Sequence, residues 1–440
     1  MTGPAEFAII KYRIVPPGAR LRKGRRALRK RVLAERKGGE SLPNEFTRLP
    51  VGAPAGLILH LSAMKATARP GKGGAAALMA FLCPAADAPI DTAFFDEENK
   101  TMHMSDALLS PAVGLTMCAV SAGALAVSAA RVQRSQLTSQ KLPMMAVGGA
   151  FVFAAQMINF TIPGTGSSGH IGGGILLSAL LGGGPALLAL AAVLVIQCLF
   201  FADGGLLALG CNIFNMGVLP CLVVYPLVVR PILRRGLTPR RLSAAALLGA
   251  VLGLQLGAFG VVLETQLSGI TALPFGTFAA LMQPIHLAIG VGEGLVTAGV
   301  LCFVARVQPE VLESTQQARP MEKTASVKRI AALLLCLTVA VAGGLSLFAS
   351  QNPDGLEWAV QAVTGSTELE AEGAVQENAA AIQEKTALMP DYDYADGEGT
   401  GTSTAGVVGS ALTFVLAGGV GLALAAAKKR RAKQGAAEQG

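Results

Sequence analysis

Charge is scarce in this sequence. Of 440 residues only 15% are Asp, Glu, Lys or Arg, while 52% are hydrophobic. Apolar runs of about 20 residues free of charge exclude an ordinary water-soluble domain and predict membrane-spanning helices. Histidine is scarcer still, with four in all: His60, His103, His170 and His286. The cysteines form no CxxC pair, which argues against a thiolate metal site and a disulfide framework; most sit in apolar spans as small buried hydrophobes. There is no GxxxxGK[ST] run, so the chain does not hydrolyse ATP by that route. An HExxH helix is missing too, with no obvious base beside His170, which weighs against an intramembrane metalloenzyme. Inverted repeats with discontinuous helices, expected of a self-sufficient secondary transporter, are not evident. Glycine, by contrast, is abundant, as expected where helices pack closely in lipid.

The net charge of +8 is unevenly placed. All of the excess lies in residues 1–101, and residues 102–440 balance to zero. The basic cluster from Arg20 to Lys37 reads as a solvated arm. No fold motif for nucleic acid accompanies it, so no nucleic-acid partner is expected. Residues 1–101 hold no long apolar span and do not follow the signal-peptide pattern. They are expected to be a non-native or processed, disordered extension, with the functional protein starting at Met102.

From there, spans are predicted at 107–130, 142–162, 171–183, 185–202, 205–229, 242–264 and 278–305. Residues 171–202 could form one long helix or a hairpin broken at Gly182-Gly183-Gly184-Pro185. The hairpin is preferred. It puts the clusters Arg131–Lys141, Arg230–Arg241 and Arg306–Arg329 on one side, as cytoplasmic loops require. The Met102 end then lies outside. A basic linker, 309–329, leads to a further span at 330–349. A polar, acidic stretch, 351–404, precedes a last span, 405–427, whose stop Lys428-Lys429-Arg430-Arg431 places the C-terminus in the cytoplasm. The fold class is all-α: a polytopic membrane protein with a seven-helix bundle over 102–308 and two further helices in a domain over 330–430.

The chemistry gathers at the outer ends of the first spans. If Met102 is the amino terminus, its amine, the His103 amide nitrogen and the His103 imidazole can chelate one metal ion. His170, in the loop Gly164-Thr165-Gly166-Ser167-Ser168-Gly169-His170, can add a fourth nitrogen. A nitrogen-only, near-planar site suits Ni(II), Cu(II) or low-spin Co(II). The glycine run 164–174 cannot be helical throughout, so it lines an enclosed cavity or forms an external loop. Asp106, Gln156 and Asn159 are expected to orient the histidines. Asp203 is expected to cap the next span. His286 and Glu293 lie seven apart, on one helix face, where they line a path or pair with each other.

Four passages resemble the substrate-binding membrane component of cobalt/nickel energy-coupling-factor transporters, the CbiM/NikM family. Met102-His103-Met104-Ser105-Asp106 looks like the family's MHxxD start, with Ala107-Leu108 in place of its usual Gly-Phe. Ser168-Gly169-His170 looks like its glycine-histidine loop. The stretch Asp203-Gly204-Gly205 through Ala208-Leu209-Gly210, Asn212 and Asn215-Met216 matches its DGGxxALGxNxxNM segment. Residues 285–294, with His286 and Glu293, resemble a fourth. Asn352-Pro353-Asp354-Gly355-Leu356-Glu357-Trp358 looks like the PDGLE domain, a CbiN/NikN-like module often fused to the main component.

The resemblance implies uptake of Co(II) or Ni(II) across the cytoplasmic membrane of a prokaryote, for cobalamin synthesis or nickel enzymes. It implies Met102, His103 and His170 as ligands. Ser168, Asn212 and Asn215 join Asp106, Gln156, Asn159, Asp203, His286 and Glu293 as supporting or path residues. It further implies no catalytic residue and no tightly bound cofactor, with a membrane coupling subunit and two ATP-binding subunits as partners. A secondary metal transporter is the alternative, and an intramembrane metalloenzyme a weaker one.

Overall fold

The computed structural model describes residues 102–437 apart from 135–141, 318, 320–326, 368, 370, 372 and 395–400. The expectations for 1–101 lie outside the described residues, as do His60, Cys83, Glu368, Glu370, Glu372 and Asp396.

Two long helices, α6 (Pro239–Ser268) and α7 (Phe275–Val307), show how the sequence builds the bundle. On α6, Leu248, Leu252, Leu256, Phe259, Leu263 and Leu267 recur at helical spacing and stay exposed. The opposite face carries Ala245, Ala246, Gly249, Ala250, Gly253 and Gly257, all buried. Large apolar side chains therefore turn outward, toward lipid, while small residues let the backbones approach. Along that inner face α6 packs on α7 and on α5 (Leu209–Arg234). Residues Phe214–Val229 of α5 wind more widely, with i→i+5 bonding, around Pro220 and Pro226. Each proline removes a donor from the ordinary ladder.

Six helices among the described residues are long and apolar enough to cross a membrane: α1 (Pro111–Arg134), α4 (Gly183–Phe201), α5, α6, α7 and α12 (Thr402–Ala437). The protein is therefore an all-α polytopic membrane protein. Two of the expected spans are shorter than the hydropathy suggests. The 142–162 run is helical only as α2 (Leu142–Gln156) and then enters a small hairpin, β1 (Phe160–Ile162) with β2 (Ser167–Gly169), in antiparallel register with Phe160 opposite Gly169. The 171–183 run is helical only as α3 (Gly174–Leu181), because residues 170–173 are non-helical and Gly173 takes φ 75°.

Gly182 breaks the helix at φ 91°, and α4 packs back on α3. The end of α3 is held by α8 (Pro309–Gln317): Thr315 donates to the Leu180 carbonyl at 2.8 Å and Gln316 to that of Ala179 at 3.0 Å. Arg230 and Arg234 donate to the Gln316 carbonyl. The hairpin break thus shares one end of the bundle with the arginines, as the charge pattern requires.

The second domain packs its helices α9 (Lys328–Gly343) and α12 against α2. Gly149 of α2 faces Thr413 and Ala417 of α12 at close range. Between them the acidic stretch is more structured than its polarity suggests. It holds α10 (Gly355–Thr364) and α11 (Ala374–Thr386), and both lie over the end of the bundle opposite the arginines.

Candidate metal centre

Residues 102–105 form a non-helical segment wedged beside the start of α5, and a short 3-10 turn follows at Asp106–Leu108. Asn212 grips it like a partner strand: its Oδ1 accepts from the Met104 N–H at 3.2 Å and its Nδ2 donates to the Met104 carbonyl at 3.1 Å. That carbonyl also accepts from Gly205 N–H. Asp106 accepts from the Ala208 N–H at 2.8 Å. Its carboxyl, pushed up by burial, serves this turn and does not bond a histidine. A Cβ on Gly205 would overlap the Asp106 carboxylate, so the pair of glycines after Asp203 is a steric requirement.

A chain of side-chain amides fixes His103. Its Nε2 lies 2.9 Å from Gln197 Oε1. Gln197 Nε2 donates to Gln156 Oε1 at 2.9 Å, and Gln156 Nε2 donates to the Gly172 carbonyl at 3.0 Å. The terminal carbonyl can only accept, so each amide is oriented in turn and His103 must donate from Nε2. Nδ1 is then the lone-pair nitrogen. It is buried and has no hydrogen-bond partner, in a residue only 4% exposed. An N–H there would be an unsatisfied buried donor costing about 1–3 kcal/mol. The lone pair suits a metal ion instead, with the amide chain as the outer support that metal-binding histidines need.

His170 comes from the other side, its ring centroid 5.4 Å from that of His103. Its Nε2 is 3.2 Å from the Met102 carbonyl and its Nδ1 3.2 Å from the Ile171 carbonyl. A neutral imidazole donates to only one of these. Burial, and then the His103 ring, hold the His170 imidazole below its ordinary value, which favours the neutral, ligating form. Met102 N lies 2.7 Å from Asp203 Oδ1. The two histidines and the Met102 nitrogen are therefore brought together. Asp203 does not cap the next span; it holds the start of the segment.

The second domain closes over this group. Ser168 donates from its backbone to the Pro353 carbonyl at 2.7 Å and from its hydroxyl to that of Asn352 at 2.8 Å. Trp358 Nε1 donates to the Thr165 carbonyl at 3.0 Å. Asp354 caps α10 in a reciprocal box with Glu357, which gives the PDGLE residues their local meaning. Burial pushes the Asp354 carboxyl up to about 7. Gln383 of α11 donates to the Gly204 carbonyl at 2.8 Å. Tyr392 donates to Asp203 Oδ2 at 2.5 Å, and its ring stacks on Phe201. Burial, followed by the Asp203 carboxylate, keeps the Tyr392 phenol well above its usual range.

A cavity of about 90 Å³ runs from the histidines into the bundle, lined also by Asn215, His286 and Glu293. His286 and Glu293 do not pair. His286 Nδ1 bonds the Met282 carbonyl, while Glu293 accepts from Gly172 and Gly173 N–H, both at 3.0 Å. Asn215 donates to Glu264 at 2.7 Å. Asn159 is not tied to the histidines; its carbonyl accepts from Ser350. Sequence reasoning missed Gln197, Asp354, Tyr392 and Glu264. An amide or carboxylate inside an apolar run was the available signal for Gln197 and Glu264.

The cobalt uptake substrate-specific transmembrane region family matches residues 103–311, and the PDGLE domain matches residues 328–426. The chain is 34% identical over 321 residues to a protein of Archaeoglobus fulgidus named "Putative fused nickel transport protein NikMN", covering 72% of this chain and 96% of that one. It is 35% identical over 225 residues to the fused nickel transport protein NikMN of Rhodobacter capsulatus, covering 48% and 64%. It is 29% identical over 222 residues to the cobalt transport protein CbiM of Geobacter sulfurreducens, covering 48% and 61%. The crystal structure of a transition metal transporter is 32% identical, with a TM-score of 0.42, and covers 48% of this chain and 95% of its own. With both regions in one chain and a fused relative matched over nearly its whole length, this chain belongs to the family of cobalt and nickel transport membrane proteins, in the form fused to a PDGLE domain.

Proposed function

We propose that this chain captures Co(II) or Ni(II) at the outer face of the cytoplasmic membrane and passes it inward, as the substrate-binding component of an energy-coupling-factor transporter. The observation that carries this reading is the buried, partnerless Nδ1 of His103, in a ring whose centroid lies 5.4 Å from that of His170. The proposed donors are His103 Nδ1, His170 Nε2, the Met102 nitrogen and the His103 amide nitrogen. Four nitrogens favour Ni(II) or Co(II) over harder cations. Met102 N contributes as a free amine, which requires the chain to begin there, and Asp203 holds it in place. The cavity past Asn215, His286 and Glu293 is the path inward.

The energy comes from partners: a membrane coupling subunit and two ATP-binding subunits. They would dock at the arginine-bearing end, near Arg230, Arg234 and α8, which the positive-inside bias assigns to the cytoplasm. The test is titration of His170→Ala with Ni(II) and Co(II) by calorimetry. The variant should lose high-affinity binding while remaining inserted in the membrane. Wild-type affinity in that variant would overturn the centre.

A further inference from the structure

The PDGLE segment contributes a carboxylate whose placement its capping role does not explain. Asp354 is buried at 5% exposure, and Oδ1 alone accepts both cap bonds, from Leu356 and Glu357 N–H, each at 2.8 Å. Asn or Ser would cap a helix as well without the cost of burying a charge. The second oxygen, Oδ2, lies 4.0 Å from His170 Nε2. Among the described residues no Lys or Arg forms an ion pair with it.

That 4.0 Å is too long for a hydrogen bond. It is close to the span of two donors on opposite sides of one ion, at about 2.0–2.2 Å to each nitrogen and oxygen. His170 Nε2 lies beside two oxygen atoms, the Met102 carbonyl and Asp354 Oδ2. The partnerless His103 Nδ1 belongs to a residue lining the same cavity as Asp354. The position is also reached by design of the fold, since a Cβ on Gly355 would press on Ile289 and His286.

We infer that Asp354 is a loading ligand: its Oδ2 takes the incoming divalent cation at the mouth of the centre and delivers it to His170. This rests on the proposed centre and extends it to the second domain. A hard oxygen donor suits a cation still carrying water, whereas the nitrogen set beneath suits the dehydrated ion. Handing over from one to the other lets water leave in steps. Once the four nitrogens are engaged, Oδ2 lets the ion go, while Oδ1 keeps its cap bonds throughout.

The experiment uses the full-length protein and Ni(II) alone. Asp354→Asn keeps the cap oxygen and replaces Oδ2 with an amide nitrogen that cannot bind a cation. The association rate of Ni(II) is followed by rapid filtration, and docking by the emission of Trp358, the chain's single tryptophan. The expected result is a roughly tenfold or larger fall in association rate, in the range that a focused charge supplies, with Trp358 emission unchanged. Asp354→Ser should behave the same way. An unchanged rate in Asp354→Asn overturns the inference, and so does a slowed rate that comes with shifted Trp358 emission, which would mark a docking role. His170→Ala is run in parallel. If it keeps binding, the centre itself is wrong; if it loses binding while Asp354→Asn loads normally, only the loading role falls.

Discussion

A single histidine nitrogen is selected here by residues outside the proposed donor set. Gln197 and Gln156 transmit the direction of the Gly172 carbonyl to His103 and so decide which ring nitrogen keeps its lone pair. Gln197→Ala should therefore lower Ni(II) and Co(II) affinity by about 10–100-fold, the usual effect of removing an outer partner of a metal ligand. Calorimetry against wild type checks this, and an unchanged affinity would show that His103 is oriented some other way. The histidines were legible in the sequence because so few exist, and His170 sits in a glycine-rich loop. Gln197 was not, since an amide within an apolar helix looks the same whether it bonds a neighbouring helix or a ligand. Asp354 was legible as part of a motif, but its approach to a residue 184 positions earlier depends on how the domains pack.

Among the elements, α3 departs most from its hydropathy. The run 171–183 is apolar enough to read as a span, yet Gly172 and Gly173 give it a backbone bend, and Glu293 of α7 binds both freed N–H groups. This helix spans only Gly174–Leu181, with a carboxylate at the positive end of its dipole. Glu293→Gln leaves one acceptor oxygen where two N–H groups need one each, and turns an NH2 group toward a donor. The expected outcome is a loosened α3 with metal uptake reduced more than metal affinity, read by transport assays in cells beside calorimetry on purified protein. A loss of affinity equal to the loss of uptake would place Glu293 at the centre and not on the path. Gly173→Ala is expected to destabilise the fold, because φ is 75° and its Cβ would meet Val152 at 2.5 Å. Thermal unfolding in detergent measures it. The long spans α1, α4, α5, α6 and α7 were legible because charge-free length is a direct signal. The wide winding of α5 and the helices α10 and α11 were not, since neither follows from hydrophobicity.

On the scale of the molecule, one chain carries both a metal-binding bundle and the cover that lies on it. Deleting 330–440 should reduce uptake more than equilibrium binding, because the four proposed donor nitrogens all belong to 102–170. A cysteine placed near Asp391, at the exposed Tyr394, should react with an impermeant reagent from outside; labelling only after permeabilisation would reverse the proposed orientation. Mass spectrometry of natively expressed protein should find Met102 at the amino terminus, and an active transporter still carrying 1–101 would require a different donor set. The contact of Asn352, Pro353 and Trp358 with the glycine loop has a consequence set by covalent connection. The cover is tethered through α7, α8 and α9, so its effective concentration at the loop stays fixed, of the order of millimolar for a short tether. Opening and closing are then first-order events, independent of how many transporters the membrane holds. A cell making very few copies keeps each one capped as fully as a cell making thousands, whereas a cover supplied as a separate subunit would be lost by dilution.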